Sequence, residues 1–244
     1  MGQRQSRYIR AAVMRLLNGA GALLRHCAQP GVLSAGLLWV TLGSANPDLA
    51  RVVELAQTRY GYRASQSVAE WRDLIEQNLA LPEREKLELV NEFFNHAVLF
   101  EDDAVTWGTR DYWATPLETL GRGQGDCEDY SIGKYVSLGL MGVPIDRLRI
   151  TYVRAETGLA GSGISQAHMV LAYYATPEAE PLILDNLVSQ LRPASRRPDL
   201  SPVFGFNSQG LWVGGRSAPA LSDPTARLSR WRDLLRRMNE DGLN

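Results

Sequence analysis

Residues 121–130, GRGQGDCEDY, place one thiol, Cys127, between Asp126, Glu128 and Asp129 at the end of a glycine-rich turn. A cysteine attacks as its thiolate, and neighbouring carboxylates raise its pKa. Either this thiol is inert or something cancels the charge. Gly121, Gly123 and Gly125 permit tight or positive-φ turns just ahead of a helical stripe, Ile132, Tyr135, Val136 and Leu140. That pattern predicts Cys127 at or near a helix N-terminus. Free N–H groups there stabilise a thiolate and can receive the oxyanion of an attacked carbonyl.

Such a nucleophile needs a base, and the chain has three histidines. His26 falls in a segment expected to be removed. His96 ends a helical pattern with Phe93 and Phe94 and suits a cap on its last carbonyls. His168 stands in the strand-like run QAHMVLAYY (166–174), which a short loop around Pro177 joins to a second run ending in Asp185. Strands joined this way are natural antiparallel neighbours. With an even-numbered loop His168 and Asp185 share a face, near-diagonal across the ladder and within hydrogen-bonding reach. The sequence permits this register without fixing it. In chain order the set is a nucleophile, Cys127, a base, His168, and an orienting carboxylate, Asp185.

The elements that must position these residues follow from the apolar periodicity. Asn46-Pro47-Asp48 reads as cap, first-turn proline and first-turn acid of a helix that Gly61 ends; Ser67 opens a second helix and Pro82 a third. A last amphipathic helix runs from about Asp223 to Met238, its arginines read as a solvated face. Between these lie strands over Leu148 to Val153, Ala167 to Tyr174, Pro181 to Asp185 and Leu211 to Val213. The organisation is α+β.

With 244 residues, 45% hydrophobic and 22% charged, the chain can bury a core. Its net charge of −1 hides an asymmetry: residues 1–45 hold five arginines and no acid, leaving the rest at −6. Those arginines precede an apolar run, 32–42, and the small residues Gly43-Ser44-Ala45. This is the order of a cleaved secretory signal, too short in its apolar part to span a bilayer. The expectation is therefore an export signal over 1–45, a single domain over 46–244 and no membrane insertion of the mature chain. Without residues 1–45, Cys127 is the only cysteine. The acidic remainder points to protein partners and away from nucleic acid. Among Trp107, Trp113 and Trp212, one is expected to line a groove for a substrate or partner.

The segments DYWATPLETL (111–120), GDCEDY (125–130), QAHMVLAYY (166–174), LDNL (184–187) and GLW (210–212) resemble the bacterial transglutaminase-like cysteine proteinase family. The resemblance implies a papain-like or transglutaminase-like fold, with the nucleophile at a helix N-terminus packed on an antiparallel sheet. It also implies a periplasmic endopeptidase that cleaves the N-terminal region of a large surface adhesin near paired alanines and so disperses biofilm. Calcium dependence, and sequestration by the periplasmic domain of an inner-membrane cyclic di-GMP receptor, are implied too. On this reading Asp126, Glu128 and Asp129 are oxygen ligands for Ca²⁺, joined by Asp111 if a loop brings it near. The other reading of the same acids is a first turn that favours the helix dipole. Two further functions fit these residues: an acyltransferase with an amine acceptor, and a calcium-binding adaptor with an inactive triad.

Overall fold

The structure is a computed structural model that describes residues 47–156, 164–214, 219–220 and 223–243. All of these fall within one of the chain's two compact units, Gly43–Asn244. The export signal expected over 1–45 lies outside the described residues.

Three helices lead. In α1 (Leu49–Tyr60) the cap is Asp48, whose side chain accepts from the Arg51 N–H at 3.1 Å. The cap thus sits two residues after the Asn46 expected from the sequence. Gly61, with φ of 90°, both closes α1 and starts α2 (Tyr62–Gln77), since a left-handed residue lets the chain reverse without an intervening loop. Ser67, expected to open this helix, lies inside it and donates to the Arg63 carbonyl. Pro82 caps α3 (Glu83–Ala97) as expected. His96 contacts the Glu92 carbonyl at 2.8 Å, one turn back on the same helix.

Two short strands, β1 (Leu99–Phe100) and β2 (Gln124–Gly125), pair in parallel around α4 (Asp103–Thr106) and α5 (Pro116–Arg122). The central helix α6 (Cys127–Leu140) follows. Its sequence suggests one apolar stripe, yet Asp129 to Leu138 are all buried. Helices cover one side and the sheet the other, so even its small and polar residues are enclosed. Trp71 of α2 donates its indole N–H to Ser137 at 2.7 Å. Phe94 of α3 fills the space where a side chain on Gly133 would stand, 2.3 Å from its Cε1.

The sheet comprises β3 (Leu148–Glu156), β4 (Ser165–Tyr173), β5 (Leu182–Leu184), β6 (Arg192–Pro193), β7 (Leu200–Phe206) and β8 (Leu211–Val213). It is antiparallel throughout, in the order β6-β5-β4-β3-β7-β8. One face packs Leu148, Ile150, Met169, Leu171 and Phe206 into the main core. The other holds Val153, Val170, Ala172 and Ile183 in a smaller cluster. The strand β7 escapes a sequence reading because Pro202 interrupts it. Pro202 is tolerated because it pairs with Val153, where the β3–β7 register shifts in a bulge.

The last helix, α7, runs Ser229–Asp241, and the expected start at Asp223 is instead the cap of a 3₁₀ turn over Pro224–Ala226. Trp231 and Leu234 are buried as its spacing predicts. Its arginines are not all a solvated face: Arg237 is mostly buried against Glu118 and the Trp113 carbonyl, and Arg230 pairs with Asp111 at 2.7 Å. Asp241 accepts from Arg59 at 2.6 Å and from Thr115 at 2.8 Å, tying this helix to α1 and α5.

Candidate active site

Cys127 is the first residue of α6. The approach to it depends on two glycines. Gly123 has φ of 66° and ends α5, and at Gly125 a Cβ would lie 2.7 Å from an Asp129 oxygen. Asp126 is the N-cap, and Asp129 completes a capping box by accepting from the Asp126 N–H. The Asp129 carboxyl also accepts from the Ala114 N–H at 2.8 Å, which anchors the preceding loop to the helix start. The Cys127 thiol is partly buried and donates to Glu128 Oε2 at 2.9 Å, while the Met169 backbone N–H faces it. Burial, then Glu128 and Asp126, push the thiol well above its ordinary range, as the charge pattern in the sequence requires.

His168 stands on β4 and is 3% exposed. Its Nε2 lies 2.8 Å from Asp185 Oδ1. The last β4–β5 pair is Leu171 with Leu184, which sets Asp185 one step beyond the ladder and diagonal to His168. Since the carboxylate accepts, Nε2 carries the proton, and Nδ1 is left as the basic nitrogen. The Leu187 N–H also reaches Oδ1, at 3.1 Å. Arg197 Nη2 is 2.8 Å from Oδ2, a close ion pair made off the aligned hydrogen-bond direction. The Asp185 carbonyl accepts from Asn95 at 2.9 Å, and Asn95 in turn accepts from Lys134 at 2.8 Å. Burial alone would raise the Asp185 carboxyl, but His168, Leu187 and Arg197 hold it at about 2. Lys134 is 1% exposed, and burial lowers it to about 7 against the pull of Asp185. Nothing in the sequence singles out Asn95, Lys134 or Arg197; each is recruited by the tertiary fold.

Cys127 and His168 line the same cleft, of about 320 Å³, with Phe100, Tyr152, Ala167 and Leu187 among its walls. None of the three tryptophans lines it. Trp113 stacks on Phe206 in the core, Trp107 packs against Tyr112 and Arg122, and Trp212 lines a separate cavity on the outer face of the sheet. Phe100, 57% exposed, and Tyr152 supply the aromatic surface instead.

The acids beside Cys127 extend into a larger cluster. Ligand-type atoms of Asp103, Asp111 and Glu128, and of Asp103, Asp126 and Asp129, come within 4.8 Å of one another. The loop after α4 therefore does bring Asp111 near. The cluster also takes in Asp103, the first residue of α4 and 3% exposed, which no local pattern in the sequence marks. One Asp103 oxygen accepts from the Tyr112 N–H; the other, like Oδ1 of Asp126, is buried without a hydrogen-bond partner. Burial and the neighbouring carboxylates raise Asp103 to about 6 and Asp126 to about 10, and raise Asp129 strongly. Crowded hard oxygens with unsatisfied lone pairs fit a cation of the calcium or magnesium class. Both Asp129 oxygens accept from backbone N–H groups, so Asp129 holds the helix start, and each keeps a lone pair toward the cluster.

The family model for bacterial transglutaminase-like cysteine proteinases (BTLCP) matches residues 56–198, a span that includes Cys127, His168 and Asp185. No curated protein sequence gives a significant match. Among solved structures, the chain is similar to EGTA-treated LapG of Legionella pneumophila. The two share 42% identity over 78% of this chain and 97% of that one, with a TM-score of 0.67. The calcium-bound form of the same protein matches at 42% identity over 78% and 98%, with a TM-score of 0.65.

Proposed function

The chain belongs to the bacterial transglutaminase-like cysteine proteinase family, and from that premise we propose that it is a calcium-dependent cysteine endopeptidase working through Cys127, His168 and Asp185. The observation that carries the reading is the buried 2.8 Å His168–Asp185 contact beside the cleft that holds Cys127.

In this mechanism His168 Nδ1 takes the thiol proton, and Cys127 Sγ adds to the scissile carbonyl carbon. N–H groups at the start of α6 receive the oxyanion. His168 then returns the proton to the leaving amine as the C–N bond breaks, leaving a thioester on Cys127. A water, deprotonated by His168, adds to the thioester and releases the acid and the free thiol. Asp185 holds the imidazole in the tautomer that leaves Nδ1 basic. Asp103, Asp111, Asp126, Glu128 and Asp129 would hold the calcium ion, which when bound would supply positive charge that offsets the carboxylates suppressing the thiolate. The calcium-bound form of the similar Legionella protein supports a bound calcium ion.

The substrate in this reading is the N-terminal region of a large surface adhesin, cut near paired alanines so that the adhesin is released and biofilm disperses. Residues 1–45 export the enzyme to the periplasm, where the periplasmic domain of an inner-membrane cyclic di-GMP receptor sequesters it. No helix among the described residues is long and apolar enough to cross a membrane. The test is incubation of the mature protein with an adhesin N-terminal fragment, with and without chelator, and mapping of the cut by mass spectrometry. Expected are two fragments whose masses sum to the substrate plus water, lost with chelator and with Cys127→Ala. Cleavage by Cys127→Ala at the wild-type rate overturns the mechanism, and addition of an amine in place of water makes the protein an acyltransferase. Saturating receptor domain should block cleavage; unchanged cleavage removes the regulatory part.

A further inference from the structure

We propose that Arg197 is a positioning residue of this catalytic set, fixing the plane of the Asp185 carboxylate from behind. The proposal rests on the triad reading above. Asp185 is poorly held by its strand, because β5 ends at Leu184 and pairs with β4 only over Leu171–Tyr173. Its side chain turns about a soft, roughly two-fold torsion. His168 and the Leu187 N–H both act on Oδ1, so the buried Oδ2 has no hydrogen bond of its own to hold it. Arg197 supplies the missing constraint by placing Nη2 2.8 Å from Oδ2.

The guanidinium is itself fixed. Asp199 accepts from its Nε at 3.0 Å and from its Nη2 at 2.7 Å, a forked grip whose geometry only an arginine satisfies. Arg197 and Asp185 are 3% and 1% exposed, so the pair is sealed from water. A buried carboxylate must be paired to stay ionised, and a guanidinium keeps its charge at any working pH. Arg197 therefore contributes the cation as well as the geometry. It enters from the segment between β6 and β7 and also lines the outer-face cavity, so the control acts on His168 from the side of the sheet away from substrate.

The test uses the full mature protein with calcium and reads Cys127 alkylation by iodoacetamide, together with the His168 Nε2–H proton by NMR. Wild type should give a downfield Nε2–H signal that His168→Ala removes along with fast alkylation. Arg197→Met should shift or broaden that proton and slow alkylation about 10- to 100-fold, the usual effect of losing a partner that orients a functional group. Arg197→Lys, which restores charge without the fork, should recover only part. On an adhesin fragment the loss should fall on kcat and leave KM within about two-fold, because Arg197 does not touch substrate. If Arg197→Met does not fold, Asp199→Asn loosens the same fork from its exposed end and should give an intermediate loss. The proposal is overturned if Arg197→Met, or Asp199→Asn in its place, keeps the wild-type rate and proton position while His168→Ala loses both. Unchanged alkylation in His168→Ala would instead bring down the triad reading, and this proposal with it.

Discussion

Replacing Asp103 with Asn should change stability in opposite directions with and without calcium. The amide keeps the oxygen that accepts from the Tyr112 N–H but removes one negative charge from the cluster. Asp103, Asp126 and Asp129 have ligand-type atoms within 4.8 Å of one another. Two like charges at that separation repel by about 3 kcal/mol at an effective dielectric of ~20. Partial protonation of the cluster already relieves some of this, so Asp103→Asn should stabilise the chelated protein at pH 8 by about 1–2 kcal/mol, or roughly 3–6 °C in Tm. In calcium the same change removes a ligand. A 100-fold weaker Kd forfeits about 2.7 kcal/mol of binding-linked stability. The variant should therefore melt above wild type in EGTA and below it in calcium. Calorimetry across a calcium titration reads both. A variant that melts below wild type by the same margin in both media would reduce Asp103 to an anchor for Tyr112, and an unchanged calcium midpoint would remove it from the ligand set.

Three more outcomes follow from the geometry. Asp103, Asp126 and Asp129 have folded-state pKa values above the unfolded value of about 4, so the folded protein binds more protons and loses stability as pH rises through that window. The Tm in EGTA should fall from pH 5 to pH 8 and the slope should vanish in calcium; a flat profile in EGTA contradicts the assigned burial. Asp185→Asn should cut kcat by ~10²–10⁴-fold while Cys127→Ala abolishes turnover, read from initial rates on the adhesin fragment; a loss below two-fold would show that Asp185 does not orient His168. Gly133→Ala would set a methyl 2.3 Å from a Phe94 ring carbon. That overpacking, less the helix gain of alanine, should cost about 1–2 kcal/mol by denaturant melts, and a stabilised variant would refute the tight α3–α6 contact.

How much was legible in the sequence divides by range. The glycine turn and the acids flanking Cys127 are local signals, and they place the thiol on the first turn of α6. The alternating run through His168, a short loop and a second strand permit Asp185 diagonal to it, and the β4–β5 register supplied by the fold realises that pairing. Asp103 is different: it opens α4, and only the tertiary fold decides its proximity to Glu128, which no spacing encodes. Arg197 and Lys134 read as surface charges by type, yet the packing of the folded chain leaves them 3% and 1% exposed. The all-round burial of α6 is hidden for the same reason, since Ser131, Lys134 and Ser137 break the apolar stripe that a sequence pattern depends on. Pro202 hides β7 because its partner bulge lies on another strand.

The enclosure of α6 between helices and sheet bears on how the molecule opens. Regions with few buried contacts exchange their amide protons through local fluctuations, whereas core elements exchange only through global unfolding. Amides of 131–138 should therefore be among the slowest to exchange, on the same scale as Ile150 and Leu171. The backbone of 101–111, carrying Asp103 and Asp111 on a single helical turn and exposed loop, belongs to the fast end. Mild denaturant should then silence catalysis through displacement of Asp103 and Asp111 from the acidic cluster while the nucleophile's helix stays intact, so that inactivation precedes the loss of helical circular dichroism.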